Sequence, residues 1–318
     1  MIPQENSVFK TPEGEAKSTL AYDAVLTLWP TSYEELDVST CFGVTHIIAS
    51  GPKEANPIIL LHGQDSTATS WMHNIRELSL NFRVFAVDTI GDMGKSKPVH
   101  LPKNRKDYAD WLNNVFDQLK IEKADLVGYS YGGFLATNFA IAHPERLNRM
   151  VLLAPGIPNI GSPTLQWAYY GVPMIFLPSR FTIKRFINGT STRGYSAEDP
   201  VYEQMIIGMT NMRHISFIRP TFTDDDLKQI ATPTLLLIGD HEIMYEPRKT
   251  LERARQLIPN LRAALIAGAG HLLNSDQPTI VNQCILEFLQ EMPNESRRVL
   301  EERCKEHLTA NNLKRRKR

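Results

Sequence analysis

Asp125-Leu126-Val127-Gly128-Tyr129-Ser130-Tyr131-Gly132-Gly133-Phe134 is the stretch on which the fold turns. A short apolar strand, Asp125 to Tyr129, runs straight into a helical stretch, Tyr131 to Ala142, which His143-Pro144 ends because proline cannot continue the backbone bonding. Gly128-Tyr129-Ser130-Tyr131-Gly132 at the junction matches G-x-S-x-G. The bare pattern arises by chance in about one chain in ten of this length, and a glycine-rich turn can carry an idle serine. The strand before it and the helix after it make it specific. A nucleophilic serine needs a sharp strand-to-helix turn, with small neighbours that let strand and helix approach. The helix N-terminus then aims free N–H groups at developing negative charge.

On either side of this junction, short apolar runs alternate with amphipathic segments, as in an α/β protein with a mostly parallel sheet. Ile58 to Leu61, Phe82 to Val87, Met150 to Ala154, Thr234 to Ile238 and Ala263 to Ile266 read as strands. Lys106 to Leu119 carries apolar residues at a helical period, and Leu251 to Leu257 and Ile280 to Leu289 read as further helices. Earlier in the chain, Leu36 to Cys41 and Val44 to Ser50 flank Phe42-Gly43 as a β-hairpin. The alternation stops from Pro155 to Thr223, a stretch rich in aromatics, methionine and proline, and resumes at the acidic helix start Asp224-Asp225-Asp226. The expected organisation is an N-terminal extension over 1–34, a core over 35–155 and 224–293, an inserted helical cap over 156–223, and a charged tail over 294–318. The tail ends in Lys314-Arg315-Arg316-Lys317-Arg318, which reads first as a solvated basic end.

A serine hydroxyl is a weak nucleophile at neutral pH and needs a base that is itself oriented by an acid. In the expected chain order the acid follows the serine and the histidine follows the acid. Among the nine histidines, His271 alone lies where such a base belongs, after the last strand in Gly268-Ala269-Gly270-His271. The acid must come from Gly239-Asp240-His241-Glu242, just past a strand end, and both Asp240 and Glu242 qualify. Glu242, three positions after the glycine, is preferred; the other carboxylate then caps a loop or helix. Leu60-Leu61-His62-Gly63-Gln64 supplies a loop beside the nucleophile. The backbone N–H groups of Gln64 and Tyr131 are the expected oxyanion donors, and His62 shapes the loop.

The chain of 318 residues is long enough for one large domain with an insertion; 42% of its residues are hydrophobic and 22% charged. Lys plus Arg equals Asp plus Glu at 35 each, so no global charge points to nucleic acid or an anionic membrane. The polar N-terminus lacks the pattern of a signal peptide, and no apolar stretch is long enough to span a bilayer. Cys41, Cys284 and Cys304 are scattered and suggest neither a disulfide framework nor a metal cluster. A cytoplasmic protein, without membrane insertion and acting without metal or organic cofactor, is expected.

Together, His62-Gly63, the Ser130 turn, Gly239 to Glu242 and Gly270-His271 resemble the α/β-hydrolase superfamily, as does Asp276-Gln277-Pro278 after His271. The segments Leu26-Thr27-Leu28-Trp29-Pro30, Ile48-Ala49-Ser50-Gly51-Pro52 and Ala86-Val87-Asp88-Thr89-Ile90-Gly91-Asp92 look like the Bacillus carboxylesterase NP group, up to about residue 290. The resemblance implies the α/β-hydrolase fold: a mostly parallel eight-stranded sheet flanked by helices, with an inserted helical cap. It also implies hydrolysis of small-molecule carboxylic esters, including bulky arylpropionic ones, by a triad falling on Ser130, Glu242 and His271. Tyr131 departs from the small apolar residues common beside the nucleophile, and the extension past residue 294 has no counterpart. Acyl transfer, thioester hydrolysis, peptide hydrolysis and carbon–carbon bond hydrolysis share the same residues, and a non-catalytic ligand receptor shares the fold. Dehalogenases and epoxide hydrolases place Asp where Ser130 stands.

Overall fold

A computed structural model of the chain describes residues 7–157, 160–196, 198–213 and 221–290. The charged tail expected over 294–318 lies outside the described residues, as do Pro158 and Cys304.

Helix α1 (Pro12–Leu26) comes first, in a segment where the sequence reading assigned no structure. Proline at its first position and the Thr11 side chain, which accepts from the Gly14 N–H, start it. Its buried residues, among them Ser18, Tyr22, Val25 and Leu26, are too few and too mixed for a clear apolar stripe, so tertiary packing decides this helix. An antiparallel pair follows, β1 (Tyr33–Thr40) and β2 (Gly43–Ser50), then β3 (Pro57–Leu61), the short helix α2 (Ile75–Leu78), β4 (Arg83–Val87) and the two-residue β5 (Lys97–Pro98). Next come α3 (Arg105–Gln118), β6 (Ala124–Tyr129), α4 (Tyr131–Ala142) and β7 (Leu147–Leu153). The insertion carries α5 (Leu165–Phe176), α6 (Arg180–Thr190) and α7 (Pro200–Asn211). The core resumes with α8 (Asp224–Lys228), β8 (Thr234–Gly239), α9 (Pro247–Leu257), β9 (Leu261–Ile266), α10 (Leu273–Asp276) and α11 (Pro278–Gln290).

Eight strands lie in the order β1-β2-β4-β3-β6-β7-β8-β9, and β5 pairs with β2 as a ninth, too short to leave a periodic signal. β1, β2 and β4 pair antiparallel in sequence, and every pairing from β4 through β9 is parallel. The central strands are buried on both faces and therefore read as unbroken apolar runs. Alternate side chains feed two cores. Ile59, Leu61, Leu126 and Leu236 meet Trp111, Phe116 and Phe139 of α3 and α4. Ile58, Leu60, Val127 and Leu235 meet Trp71 and, from α11, Ile285 and Phe288. The α1 helix packs on α7, and Phe9 bridges Met212, so the N-terminal segment ties the insertion to the core. Among the described residues no helix is long and apolar enough to cross a membrane.

Asp125, on β6, is 5% exposed, and burial pushes its carboxyl up to about 7 against the attraction of Arg149. A carboxyl protonated longer in the folded than in the unfolded state contributes stability that is full below about pH 4 and lost as pH rises through 7. Asp125→Asn is therefore expected to raise stability at pH 8 by about 2 kcal/mol and at pH 5 by much less. Urea unfolding at the two pH values checks this; equal effects at both would remove Asp125 as the cause.

Candidate active site

Ser130 stands between β6 and α4 with φ 51° and ψ −111°, a left-handed conformation that costs a non-glycine residue about 1–3 kcal/mol. The close crossing of strand and helix imposes it. A Cβ on Gly128 would lie 2.3 Å from the Gly132 carbonyl oxygen, and one on Gly132 would lie 2.1 Å from the Leu61 carbonyl oxygen. Neither glycine can carry a side chain. The Ser130 N–H donates to the Leu153 carbonyl at 2.9 Å, which locks the turn to β7. Tyr131 opens α4, where backbone N–H groups have no partner within the helix. Its ring does not crowd the Ser130 hydroxyl, because it is wholly buried in the core, edge-on to Tyr108 at 6.1 Å and stacked on Phe134 at 5.7 Å.

His271 is carried inward by the loop after β9. Its N–H donates to the Thr190 carbonyl at 2.7 Å, and the neighbouring Gly270 N–H donates to Asp276 Oδ2 at 2.7 Å. The His271 Nε2 lies 2.9 Å from Ser130 Oγ, and its Nδ1 lies 2.7 Å from Glu242 Oε2. The other Glu242 oxygen accepts the Met244 N–H at 2.7 Å, and the carboxylate is covered. The structure therefore brings Ser130, His271 and Glu242 together. It turns Asp240 away: the tight turn after Gly239 closes with a Glu242 N–H to Gly239 carbonyl bond of 3.2 Å, sending Glu242 inward and Asp240 to the surface. There Asp240 Oδ1 lies 2.6 Å from His241 Nδ1 and accepts the Gly268 N–H at 2.8 Å, bracing the histidine loop. Burial and the charge of Glu242 hold the phenols of Tyr129 and Tyr245 well above their usual range, so both stay protonated beside the carboxylate.

His62 is fully buried; its Nδ1 donates to the Gly63 carbonyl at 2.7 Å and its Nε2 accepts the Thr89 N–H at 3.0 Å. Burial lowers its pKa, and the neutral ring is the form that can both donate and accept. It thereby pins the loop that presents Gln64, which lines a cavity together with Ser130 and His271. Two braces escaped the sequence reading. Asp92 accepts the Asp65 N–H at 3.2 Å behind the same loop, and burial holds its carboxyl well above the usual range. Asp276 accepts from the Ser191 hydroxyl and, at 3.1 Å, from the Thr192 N–H as well as from Gly270, so it joins the histidine loop to the end of α6. Its place five residues after His271 and two before Pro278 was the available signal.

The cavity measures about 120 Å³. Core loops give it a polar wall that includes Gln64, Asp65, Ser66 and Ser70, and the insertion gives an apolar wall that includes Trp167, Met174, Ile175, Phe186 and Met205. A larger hollow of about 500 Å³ lies against Val8, Phe9, His46 and Lys95, away from Ser130. In its wall His46 Nδ1 lies 2.9 Å from Asp37 and Lys95 pairs with Glu35 at 2.6 Å. Among the described residues no group of His, Cys, Asp and Glu is placed to hold a metal ion.

The sequence pattern of the alpha/beta hydrolase family matches residues 58–283. Carboxylesterase YbfK of Bacillus subtilis is 38% identical over 293 residues, covering 90% of this chain and 98% of the relative. The crystal structure of naproxen esterase (carboxylesterase NP) from Bacillus subtilis superposes with a TM-score of 0.81 at 34% identity, covering 88% of this chain and all of that one. That of carboxylesterase CesB (YbfK) from the same organism gives 0.80 at 37% identity, over 87% of this chain and 99% of that one.

Proposed function

The chain belongs to the alpha/beta hydrolase family, and from that premise we propose that it is a serine carboxylesterase acting on small-molecule esters through an acyl-enzyme. The observation that carries the proposal is the unbroken relay from Glu242 through His271 to Ser130, at 2.7 and 2.9 Å, opening into a cavity walled by the insertion. The carboxylesterase names of the relatives favour ester over carbon–carbon or thioester hydrolysis.

In the proposed cycle His271 Nε2 takes the Ser130 proton as the hydroxyl oxygen attacks the ester carbonyl carbon. The carbonyl oxygen becomes an oxyanion held by the N–H groups of Gln64 and Tyr131. The C–O bond to the alcohol breaks, and the alcohol leaves with the proton from His271. Water, deprotonated by the same ring, then attacks the acyl carbon, the C–O bond to Ser130 breaks, His271 returns the proton to the Ser130 oxygen, and the acid is freed. Glu242 accepts from the Nδ1–H and stabilises the charged imidazole.

The size of the cavity sets the acyl preference. An apolar space of about 150 Å³ holds a benzene-sized molecule, so a cavity of about 120 Å³ takes a short acyl chain without movement of the insertion. With para-nitrophenyl acetate, butyrate and octanoate, kcat/KM for butyrate is expected to exceed that for octanoate by about tenfold, from burial of the chain in the short case and its exclusion in the long. A rate that climbs through octanoate would mean that the insertion opens and that the bulky acids named for naproxen esterase are within reach. No turnover of any of the three would sink the esterase reading.

A further inference from the structure

We infer that the outer face of the α5–α6 hairpin docks this protein on an anionic lipid surface. The inference starts from Leu165, Tyr169, Val172 and Phe176, which are spaced by four, three and four residues and so stack along one side of α5. All four are exposed, Leu165 at 91% and Phe176 at 75%. Leu177 follows in the connection between the helices, and Phe181, 74% exposed, in the first turn of α6. These six are more than half of the eleven large apolar side chains exposed among the described residues, and they fall within seventeen consecutive positions. Single exposed apolar residues are ordinary, whereas a contiguous patch marks a surface that meets something apolar.

The opposite side of the same helix faces the catalytic cavity. Trp167, Gly171, Met174 and Ile175 line it, and Gly171 and Met174 are buried. One helix therefore stands between the cavity and the exposed stripe. The second helix lies close beside the first. A Cβ on Gly189 would sit 2.6 Å from the Tyr170 ring, and the Arg185 guanidinium lies over the Tyr169 ring at 3.9 Å. Phe181 precedes Arg185 by four residues and so shares its side of α6, next to the stripe.

Charge selects the occupant. Residues 165–190 include Arg180, Lys184 and Arg185 and no acidic residue. Arg180 pairs with Glu203 at 2.6 Å; among the described residues neither Lys184 nor Arg185 has a carboxylate within ion-pair distance. Arg185, over Tyr169, sets positive charge at the edge of the stripe itself. The balance of 35 cations against 35 anions over the whole chain conceals this local surplus. A second copy of the chain meeting this face across a two-fold axis would bring like charges together, with no acid on either hairpin to answer them. An apolar helix face flanked by cations suits the headgroup region of an anionic bilayer. There Phe, Tyr and Leu enter the acyl boundary while Arg and Lys meet phosphate. The contact is peripheral, since among the described residues no helix is long and apolar enough to cross the bilayer. An ester dissolved in the lipid is then held one helix away from the cavity.

Co-sedimentation with large unilamellar vesicles tests the docking. One set of vesicles is phosphatidylcholine with about a quarter phosphatidylglycerol, and the other is phosphatidylcholine alone. At low salt the wild type is expected to partition onto the anionic vesicles about tenfold or more above the neutral ones, and the excess to shrink severalfold in about 0.5 M NaCl. Phe176→Ser combined with Phe181→Ser is expected to weaken binding to the anionic vesicles by about tenfold or more, and Arg185→Gln severalfold. Neither phenylalanine lines the cavity, so the double variant is expected to hydrolyse dissolved para-nitrophenyl butyrate within about twofold of wild type. Leu165→Gln, at the other end of the stripe, gives an independent loss of binding should the double variant not fold. No binding to anionic vesicles, equal binding to both compositions, or full binding by the variants would each overturn the docking surface. So would a wild-type dimer in sedimentation velocity that the double variant splits into monomers, because a second copy would then cover the face. Vesicle binding needs no turnover, so failure of the esterase reading would leave this result standing.

Discussion

Ser130→Ala is expected to lower kcat for para-nitrophenyl butyrate by about 10⁵-fold while leaving the protein folded, because a triad acts as a unit and loses nearly all its effect with the nucleophile. The change removes one oxygen at a position whose backbone is already strained, with φ at 51°. A methyl group in the same left-handed conformation adds no new clash, so melting is expected within a few degrees of wild type. The small rate left would come from binding and from the oxyanion donors alone. Stopped-flow or plate assays over a wide enzyme range, with the protein freed of contaminating esterase, measure it. A drop of only about tenfold would take Ser130 out of the covalent step and move the ligand-receptor reading forward.

The second large effect separates the two acids. Glu242→Gln is expected to lower kcat by about 10³- to 10⁴-fold, and Asp240→Asn by no more than about threefold. The hydrogen bonds give the reason. Glu242 spends both oxygens as acceptors, one on His271 Nδ1 at 2.7 Å and one on the Met244 N–H at 2.7 Å. Glutamine has a single acceptor, so either orientation sets an amide N–H against one of those donors. If the amide faces His271, the ring is driven to the tautomer whose Nε2 carries the proton and cannot accept one from Ser130. Asp240 receives the Gly268 N–H on Oδ1, a bond that asparagine can keep. Comparable losses in both variants would mean that Asp240 works through the histidine loop as strongly as Glu242 works through the ring.

Much of the fold was open to reading because of where its strands sit. β3, β6 and β8 are covered on both sides, so they had to be continuous apolar runs, and Ile58 to Leu61, Asp125 to Tyr129 and Thr234 to Ile238 stand out within a residue or so of their ends. The helix from Tyr131 to Ala142 was bounded by the serine turn and by His143-Pro144, both local signals. Helix α1 was not legible, since its ordered state depends on packing against α7, nearly two hundred residues away in the chain. Nor were the strand Lys97–Pro98 and the brace Asp92, whose role exists only once the Asp65 N–H arrives; Asp276 left a positional signal, but its bond to the Thr192 N–H of the insertion did not.

The sequence by itself determined the candidate chemistry: a serine at a forced turn, a histidine after the last strand, and a carboxylate past the end of the strand before it. Each belongs to a short stretch whose glycines, strand ends and spacing are local properties of the chain. Only the tertiary structure set Glu242 rather than Asp240 against His271, turned the Tyr131 ring into the core, and set a polar wall of core loops against an apolar wall of inserted helices. The reason is one of range. Direction and contact across a cavity depend on elements that meet from opposite ends of the chain, and no local pattern of residues records where they meet.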